Sequence, residues 1–171
     1  MTVMRQIRVE KITLNIGSGK DQAKLERGIK LIKHIAGIEP VKTITKKRIP
    51  NWGLRPGLPI GCKLTIRNSQ KIELLKRLLK SKGNKLKASQ FDNTGSVSFG
   101  VAEYIDVPGV PYNPEVGIMG FEVCVTLERP GFRIKRRRLR RRPISQRHAI
   151  TSEEARDYMK REFGVVIDEE A

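Results

Sequence analysis

Lysine, arginine, threonine and asparagine recur at every second position in several short stretches of this chain, alternating with apolar residues. In 10–16, Lys11, Thr13 and Asn15 alternate with Ile12, Leu14 and Ile16. In 60–67, Lys63, Thr65 and Arg67 alternate with Ile60, Cys62, Leu64 and Ile66. A third stretch, 41–47, is β-branched and basic. It carries Lys42, Thr43, Thr45 and Lys46, and Lys42 and Lys46 are expected on the same polar side. Ammonium and guanidinium groups bind phosphates, while threonine hydroxyls and asparagine amides bond sugars and 2′-hydroxyl groups. One such strand is an ordinary solvated face; the same character on three strands points to RNA. Aromatic residues make up 5% of the chain, and none occupies those polar positions. That composition argues against stacked single-stranded bases and favours helical RNA read by shape.

Three further segments carry candidate binding chemistry. Residues 15–20, Asn-Ile-Gly-Ser-Gly-Lys, join a strand to a helix as a phosphate loop would. The Walker spacing fails, because Asp21 follows Lys20 and no glycine stands five positions before Gly19. Gly17 and Gly19 either let the backbone approach a phosphate at a helix N-terminus or simply make a tight turn. Residues 48–59 hold three prolines and two glycines, which fits a shaped loop presenting Arg48, Asn51, Trp52 and Arg55. In that loop Trp52 either points outward or packs down as an anchor. Residues 133–142 contain eight basic residues in ten: Arg133, Lys135, Arg136, Arg137, Arg138, Arg140, Arg141 and Arg142. With no acidic residue between Glu128 and Glu153, this run has no partners within itself and is not expected to fold without a polyanion.

Enzymatic chemistry has little to work with. His34 and His148 are isolated, and no paired carboxylates, nucleophile elbow or metal-ligand spacing occurs. Neither enzyme activity, cofactor nor metal is expected. Cys62 and Cys124 each sit in a strand-like run and read as buried, reduced thiols rather than a disulfide framework.

The elements that must position these groups are legible from periodicity. The runs at 10–16, 41–47 and 60–67 are joined by 97–101 and 121–127, giving about five strands with one packed and one wet face. Helices are expected over 21–36, with Leu25, Ile29, Ile32 and Ala36 on one stripe, and after Ser69, with Ile72, Leu75 and Leu79. A third opens on the capping-box pattern Thr151-Ser152-Glu153-Glu154. The fold class is α+β: an antiparallel sheet with helices on one face, plus a basic C-terminal extension ending in a helix. Residues 1–130 form the expected binding domain and 131–171 the extension. Thirty-five Lys and Arg against 18 Asp and Glu leave a net charge of +17, which calls for a polyanionic partner. No apolar run approaches the roughly 20 residues of a membrane span, and residues 1–5 carry no signal-peptide core. A cytoplasmic protein that does not engage membranes is expected.

Several segments resemble the universal large-subunit ribosomal protein five family, which binds 5S rRNA. Residues 11–19 look like its first-strand signature, and 55–67, Arg-Pro-Gly-Leu-Pro-Ile-Gly-Cys-Lys-Leu-Thr-Ile-Arg, like its most recognisable segment. Phe91-Asp92-Asn93-Thr94-Gly95, Ile105-Asp106-Val107-Pro108-Gly109 and Tyr112-Asn113-Pro114-Glu115 follow in family order. The similarity covers roughly 7–130, and Leu127-Glu128-Arg129-Pro130-Gly131 leading into the arginine run resembles the archaeal and eukaryotic branch. The resemblance implies 5S rRNA binding within the central protuberance, among large-subunit rRNA and neighbouring large-subunit proteins. It also implies a loop reaching peptidyl-site tRNA and an intersubunit bridge to small-subunit protein thirteen. The family usually follows its first helix with Gly-Gln and a nearby proline; here Gly37 precedes Ile38-Glu39-Pro40, and no RNA contact is assigned to that corner.

Overall fold

The computed structural model describes residues 3–168; residues 1, 2 and 169–171, the outer ends of the two expected units, lie outside the described residues. Strands β1 (Arg8–Gly17), β2 (Val41–Ile44) and β3 (Pro59–Ile66) are followed by a short β4 (Lys85–Lys87), then β5 (Val97–Val101), β6 (Phe121–Glu128) and a short β7 (Val166–Asp168). Five of them form one antiparallel sheet in the order β2-β3-β1-β6-β5. The α+β class and these five strands are as expected. Alternation decides which side chains go in: Ile12, Leu14 and Ile16 of β1, Cys62, Leu64 and Ile66 of β3, and Val123, Val125 and Leu127 of β6 are all buried. Each fully buried aliphatic side chain contributes about 1.5–3 kcal/mol relative to exposure, so the register is strongly fixed.

Helix α1 (Gln22–Ala36) lies on that apolar face through Leu25, Leu31, Ile32 and Ile35, while Ile29 and Ala36 are only partly buried. Gly28 sets the closeness of this packing, because a Cβ there would stand 3.2 Å from Ile16 Cγ2 and 3.4 Å from Cys62 Sγ. The helix begins where the Asp21 carboxylate accepts the Lys24 amide and ends at Gly37, whose left-handed φ of 69° suits glycine. Helix α2 (Gln70–Lys80) buries Leu74, Leu75, Leu78 and Leu79. Its stripe is therefore two residues wide, and Ile72 at the margin stays exposed, contrary to expectation.

Helix α3 (Ser152–Phe163) starts with the expected capping box: the Thr151 hydroxyl accepts the Glu154 amide at 3.3 Å, and the Glu154 carboxylate accepts the Thr151 amide at 3.2 Å. Its Ala155 and Met159 are buried in the same apolar cluster as the sheet and α1, together with Phe132 and Ile150. Gly95 meets this segment closely, since a Cβ on it would fall 2.6 Å from Ile150 Cγ2. The two short strands, β4 and β7, escape the periodicity and pair with each other in parallel. Three-residue strands of the sequence Lys-Leu-Lys and Val-Ile-Asp carry too few alternations to be read in advance.

Candidate nucleic-acid interface

The face of the sheet turned away from α1 and α2 carries the polar positions of the central strands. Thr13 stands opposite Thr65 on one side and Cys124 on the other; Asn15 is opposite Lys63 and Glu122; Lys11 is opposite Thr126. Directly opposed residues share a face with Cβ atoms about 5 Å apart, so these side chains form one continuous polar patch. Arg67, one alternation beyond Thr65, extends it and is exposed. None of Lys11, Lys63 or Arg67 forms an ion pair among the described residues. Their charges are free for a phosphate, and the surrounding hydroxyls and amides supply sugar-directed donors.

Strand β2 contributes differently from expectation. Thr43 is opposite Gly61 and therefore joins the polar face, and its hydroxyl finds no protein partner. Lys42 is opposite Cys62, whose side chain is in the core, so Lys42 projects on the helix side of the sheet edge. It does not share a side with Thr43. The strand ends at Ile44, and Thr45 turns inward: it is buried, and its hydroxyl donates to the Leu58 carbonyl at 3.0 Å. Lys46 is exposed beyond the strand end. The β-branched, basic composition suggests one long strand, whereas a register shift after Thr43 cuts it short.

The turn at 17–20 resolves to its structural alternative. The amides of Ser18 and Gly19 both donate to the Ile60 carbonyl, at 2.9 and 3.1 Å, and Asp21 caps the following helix. The Gly19 amide is thus taken, and the Asp21 carboxylate already accepts the Lys24 amide at the helix N-terminus. Gly17 stays open, with nothing within 4 Å of a Cβ position.

The loop between β2 and β3 has an anchored base and an outward tip. Leu54 is buried and bridges Ile49, with the Leu54 amide donating to the Ile49 carbonyl at 3.1 Å. A single helical turn, Pro50–Trp52, is stopped by Gly53. Trp52 is 68% exposed, and Arg48, Asn51 and Arg55 lie beside it: Asn51 and Arg55 are exposed, as is Arg48. Leu54, not Trp52, is the anchor.

The arginine run is less free than its composition implies. Arg136 joins two buried carboxylates: its Nη1 donates to Glu10, and its Nη2 to Glu128 Oε2 at 2.7 Å. The other oxygen of Glu128 accepts from Arg8 Nη2 at 2.8 Å. Glu10 sits at a bulge in the β1–β6 ladder, an irregularity that places an extra side chain at the strand end. The partners of the run therefore come from the sheet, which inspection of the run alone could not show. Arg129 is a second anchor: 4% exposed, it donates to the carbonyls of His148 and Ala149 and to Glu154 at 2.6 Å. Burial pushes the Glu154 carboxyl up, but the Thr151 amide and the Arg129 guanidinium outweigh it and hold the group below the usual carboxylate range. Beyond Arg136 the chain folds back, with the Arg142 amide donating to the Ile134 carbonyl at 3.3 Å and Arg137 Nε to the Arg140 carbonyl at 2.9 Å. Arg133, Arg137, Arg138, Arg140, Arg141 and Arg142 are exposed, and Lys135 lies 4.8 Å over the Phe132 ring.

The two thiols separate. Cys62 is buried, and burial raises its pKa to about 11. Cys124 is half-buried on the polar face, out of phase with the core residues Val123 and Val125, so the expectation that both thiols are buried holds only for Cys62. Among the described residues no group of His, Cys, Asp or Glu is arranged to hold a metal.

Fold and surface together define a basic α+β module built around a preformed polar sheet face. Comparison with known proteins gives that class its family. Residues 2–55 match the family model described as Ribosomal protein L5, and residues 59–162 match the model of the C-terminus of the same ribosomal family. The chain is 44% identical to the "Large ribosomal subunit protein uL5" of Sulfurisphaera tokodaii, over 97% of this chain and 94% of that protein. It is 47% identical to the protein of that name from Nanoarchaeum equitans, over 96% and 97%, and 44% identical to that from Methanosphaera stadtmanae, over 98% and 100%. The chain belongs to the ribosomal protein L5 family, in its archaeal form, a family of structural proteins rather than enzymes.

Proposed function

We propose that this protein is a structural constituent of the large ribosomal subunit, that its polar sheet face binds 5S rRNA, and that it helps attach that RNA in the central protuberance. The carrying observation is the in-register patch of Lys11, Thr13, Asn15, Lys63 and Thr65, extended by Arg67 just past the end of β3, whose cations have no acidic partner among the described residues. The names of its archaeal relatives support the ribosomal setting, and with it the cytoplasm. No helix among the described residues is long and apolar enough to cross a membrane. Residues 1–130 act as the RNA-binding unit, and the exposed arginines of 131–171 reach large-subunit rRNA and neighbouring proteins.

The double variant Lys63→Ala/Arg67→Ala tests the face. Removing each charged group should cost about 1.5–3 kcal/mol of 5S rRNA affinity. The slope of log affinity against log salt should fall by about 0.7–0.9 for each phosphate no longer neutralised. Gel shifts at two salt concentrations read both; unchanged affinity at both would remove the assignment.

The loop tip supports a second contact, with peptidyl-site tRNA, because Trp52 and Arg55 project from a base held by Leu54. Trp52→Ala/Arg55→Ala should leave 5S rRNA binding intact and impair tRNA handling on assembled ribosomes. Loss of 5S rRNA binding in this variant would merge the two surfaces into one. An intersubunit bridge to small-subunit protein thirteen completes the reading and rests on family resemblance.

A further inference from the structure

The central ladder of the sheet forks at one end. Pairing of β1 with β6 stops at Asn15–Glu122, whereas β1 stays paired with β3 to Gly17–Gly61 and β6 with β5 to Val101–Phe121. The strands part beyond that point and open a groove of about 520 Å³. Its lining includes Gly17 and Gly100, neither of which has anything within 4 Å of a Cβ position, so a flat group can lie directly on the backbone. Ile118, 71% exposed, borders the groove as an apolar wall, and Lys24 and Arg27 of α1 bring two positive charges to it.

Glu122 lines this groove and is an oddity on a face suited to polyanions. The other carboxylates at this sheet, Glu10 and Glu128, are neutralised by Arg136 and Arg8. Glu122 has no ion pair among the described residues; its Oε2 accepts only the Asn15 amide, at 3.2 Å, and its Oε1 has no hydrogen-bond partner there. A bare carboxylate repels phosphate, but it is the matching acceptor for two adjacent N–H donors. Among the four bases only guanine offers such a pair on its Watson–Crick edge, N1–H beside N2–H. Cytosine and adenine place an acceptor beside a single donor group, and uracil flanks one donor with two carbonyls. A protein arginine would offer the same twin donors, yet Lys24 and Arg27 would repel it and attract a nucleotide's phosphates.

We propose that the fork between β1 and β6 is a pocket for one unpaired guanine of a bound RNA, read by Glu122 through N1–H and N2–H, with Lys24 and Arg27 holding its flanking phosphates. The inference rests on the RNA-binding reading of this face and adds a base-specific point to a surface otherwise suited to shape.

Oligouridines carrying one central guanosine, inosine, 7-deazaguanosine or adenosine test it by fluorescence anisotropy on the full chain. Inosine lacks the N2 amino group and should bind roughly tenfold more weakly than guanosine, as befits one fewer hydrogen bond to a charged acceptor. Adenosine should be weaker still, and 7-deazaguanosine, altered only on the Hoogsteen edge, should match guanosine. Glu122→Gln and Glu122→Ala, both at an exposed position, should abolish the ranking while leaving oligouridine binding in place. Equal affinity for guanosine, inosine and adenosine would overturn the pocket and leave the RNA face standing. Absence of binding by every oligonucleotide, with 5S rRNA also unbound, would overturn both. If an arginine-bearing peptide perturbs the Gly100 and Gly120 amides while the guanosine oligonucleotide does not, the carboxylate belongs to a protein partner and the proposal falls.

Discussion

The sheet face and the arginine run are both basic, yet they use charge in different ways. On the face, register does the positioning: Lys11 and Lys63 are set by backbone pairing, Arg67 follows just past the end of β3, and none of the three is ion-paired among the described residues. In the run, side-chain partners do it: Arg136 is bound by Glu10 and Glu128 while still partly exposed, and the arginines around it project into solvent. The density of positive charge is higher in the run, but Lys11, Lys63 and Arg67 of the face all remain available. A count of charges therefore measures attraction to a polyanion without saying which residues deliver it.

Replacing Arg136 by alanine should break that contrast most severely. It would strand Glu10 and Glu128, whose side chains are 5% and 8% exposed, with only Arg8 left to one of them. The carboxylates are buried but Arg136 is itself 43% exposed, so losing it should cost about 2–3 kcal/mol, readable as a lowered urea midpoint. The neighbouring Arg138→Ala should leave stability within about 0.5 kcal/mol and should only make rRNA affinity less salt-dependent. Equal stability of the two variants would show that the run is held by something other than its carboxylate clamp.

A pair of glycine substitutions sharpens the comparison at smaller cost. A Cβ on Gly61 would fall 2.5 Å from the Ile16 carbonyl oxygen, at the end of the β1–β3 ladder, and one on Gly95 would meet Ile150. Each alanine variant should lose about 2 kcal/mol through overpacking. Amide exchange should then rise along β1 and β3 for Gly61→Ala, with weaker 5S rRNA binding. For Gly95→Ala it should rise around Ile150 and α3, with that affinity kept.

The smallest effect is acid-dependent. The folded state lowers the pKa of Glu154, so its contribution to stability is full above the ordinary carboxylate range and disappears as the pH falls through the lowered value. The contribution is about 1 kcal/mol, as expected of a partly exposed pair. Thermal melts from neutral to acid pH should lose that increment in the native protein and show no such loss in Glu154→Gln.

Much of the fold is legible in the sequence because alternation leaves a strong trace. Ile12-Thr13-Leu14-Asn15-Ile16 and Phe121-Glu122-Val123-Cys124-Val125 each state their buried side outright. The same rule puts Cys124 with the polar set, against the general tendency of cysteines to be buried. Lys42 falls opposite Cys62 in the regular part of the ladder, and Thr45 leaves the strand after the register shift; nothing in a run of β-branched residues marks either its phase or where it stops. Arg136 cannot be told from its neighbours by sequence, since its identity as an anchor depends on Glu10 and Glu128, which lie outside the run. Glu122 reads as one polar residue among several; that it forms no ion pair becomes visible only in the folded chain.

The parallel pairing of β4 with β7 bears on how the chain assembles as it is made. All the strands of the five-stranded sheet have been synthesised by Glu128, but Lys85 waits for Val166, eighty-one positions later, to complete its pair. Val166 is made after every strand of the larger sheet, so this pair can form only once those strands are already available. A nascent chain would thus present its polar sheet face before the β4–β7 pair forms, with the backbone edge of β4 unpaired and Leu86 of the core still uncovered on that side. Until then that edge is the vulnerable point, and β7, the last of the described strands, acts as its seal.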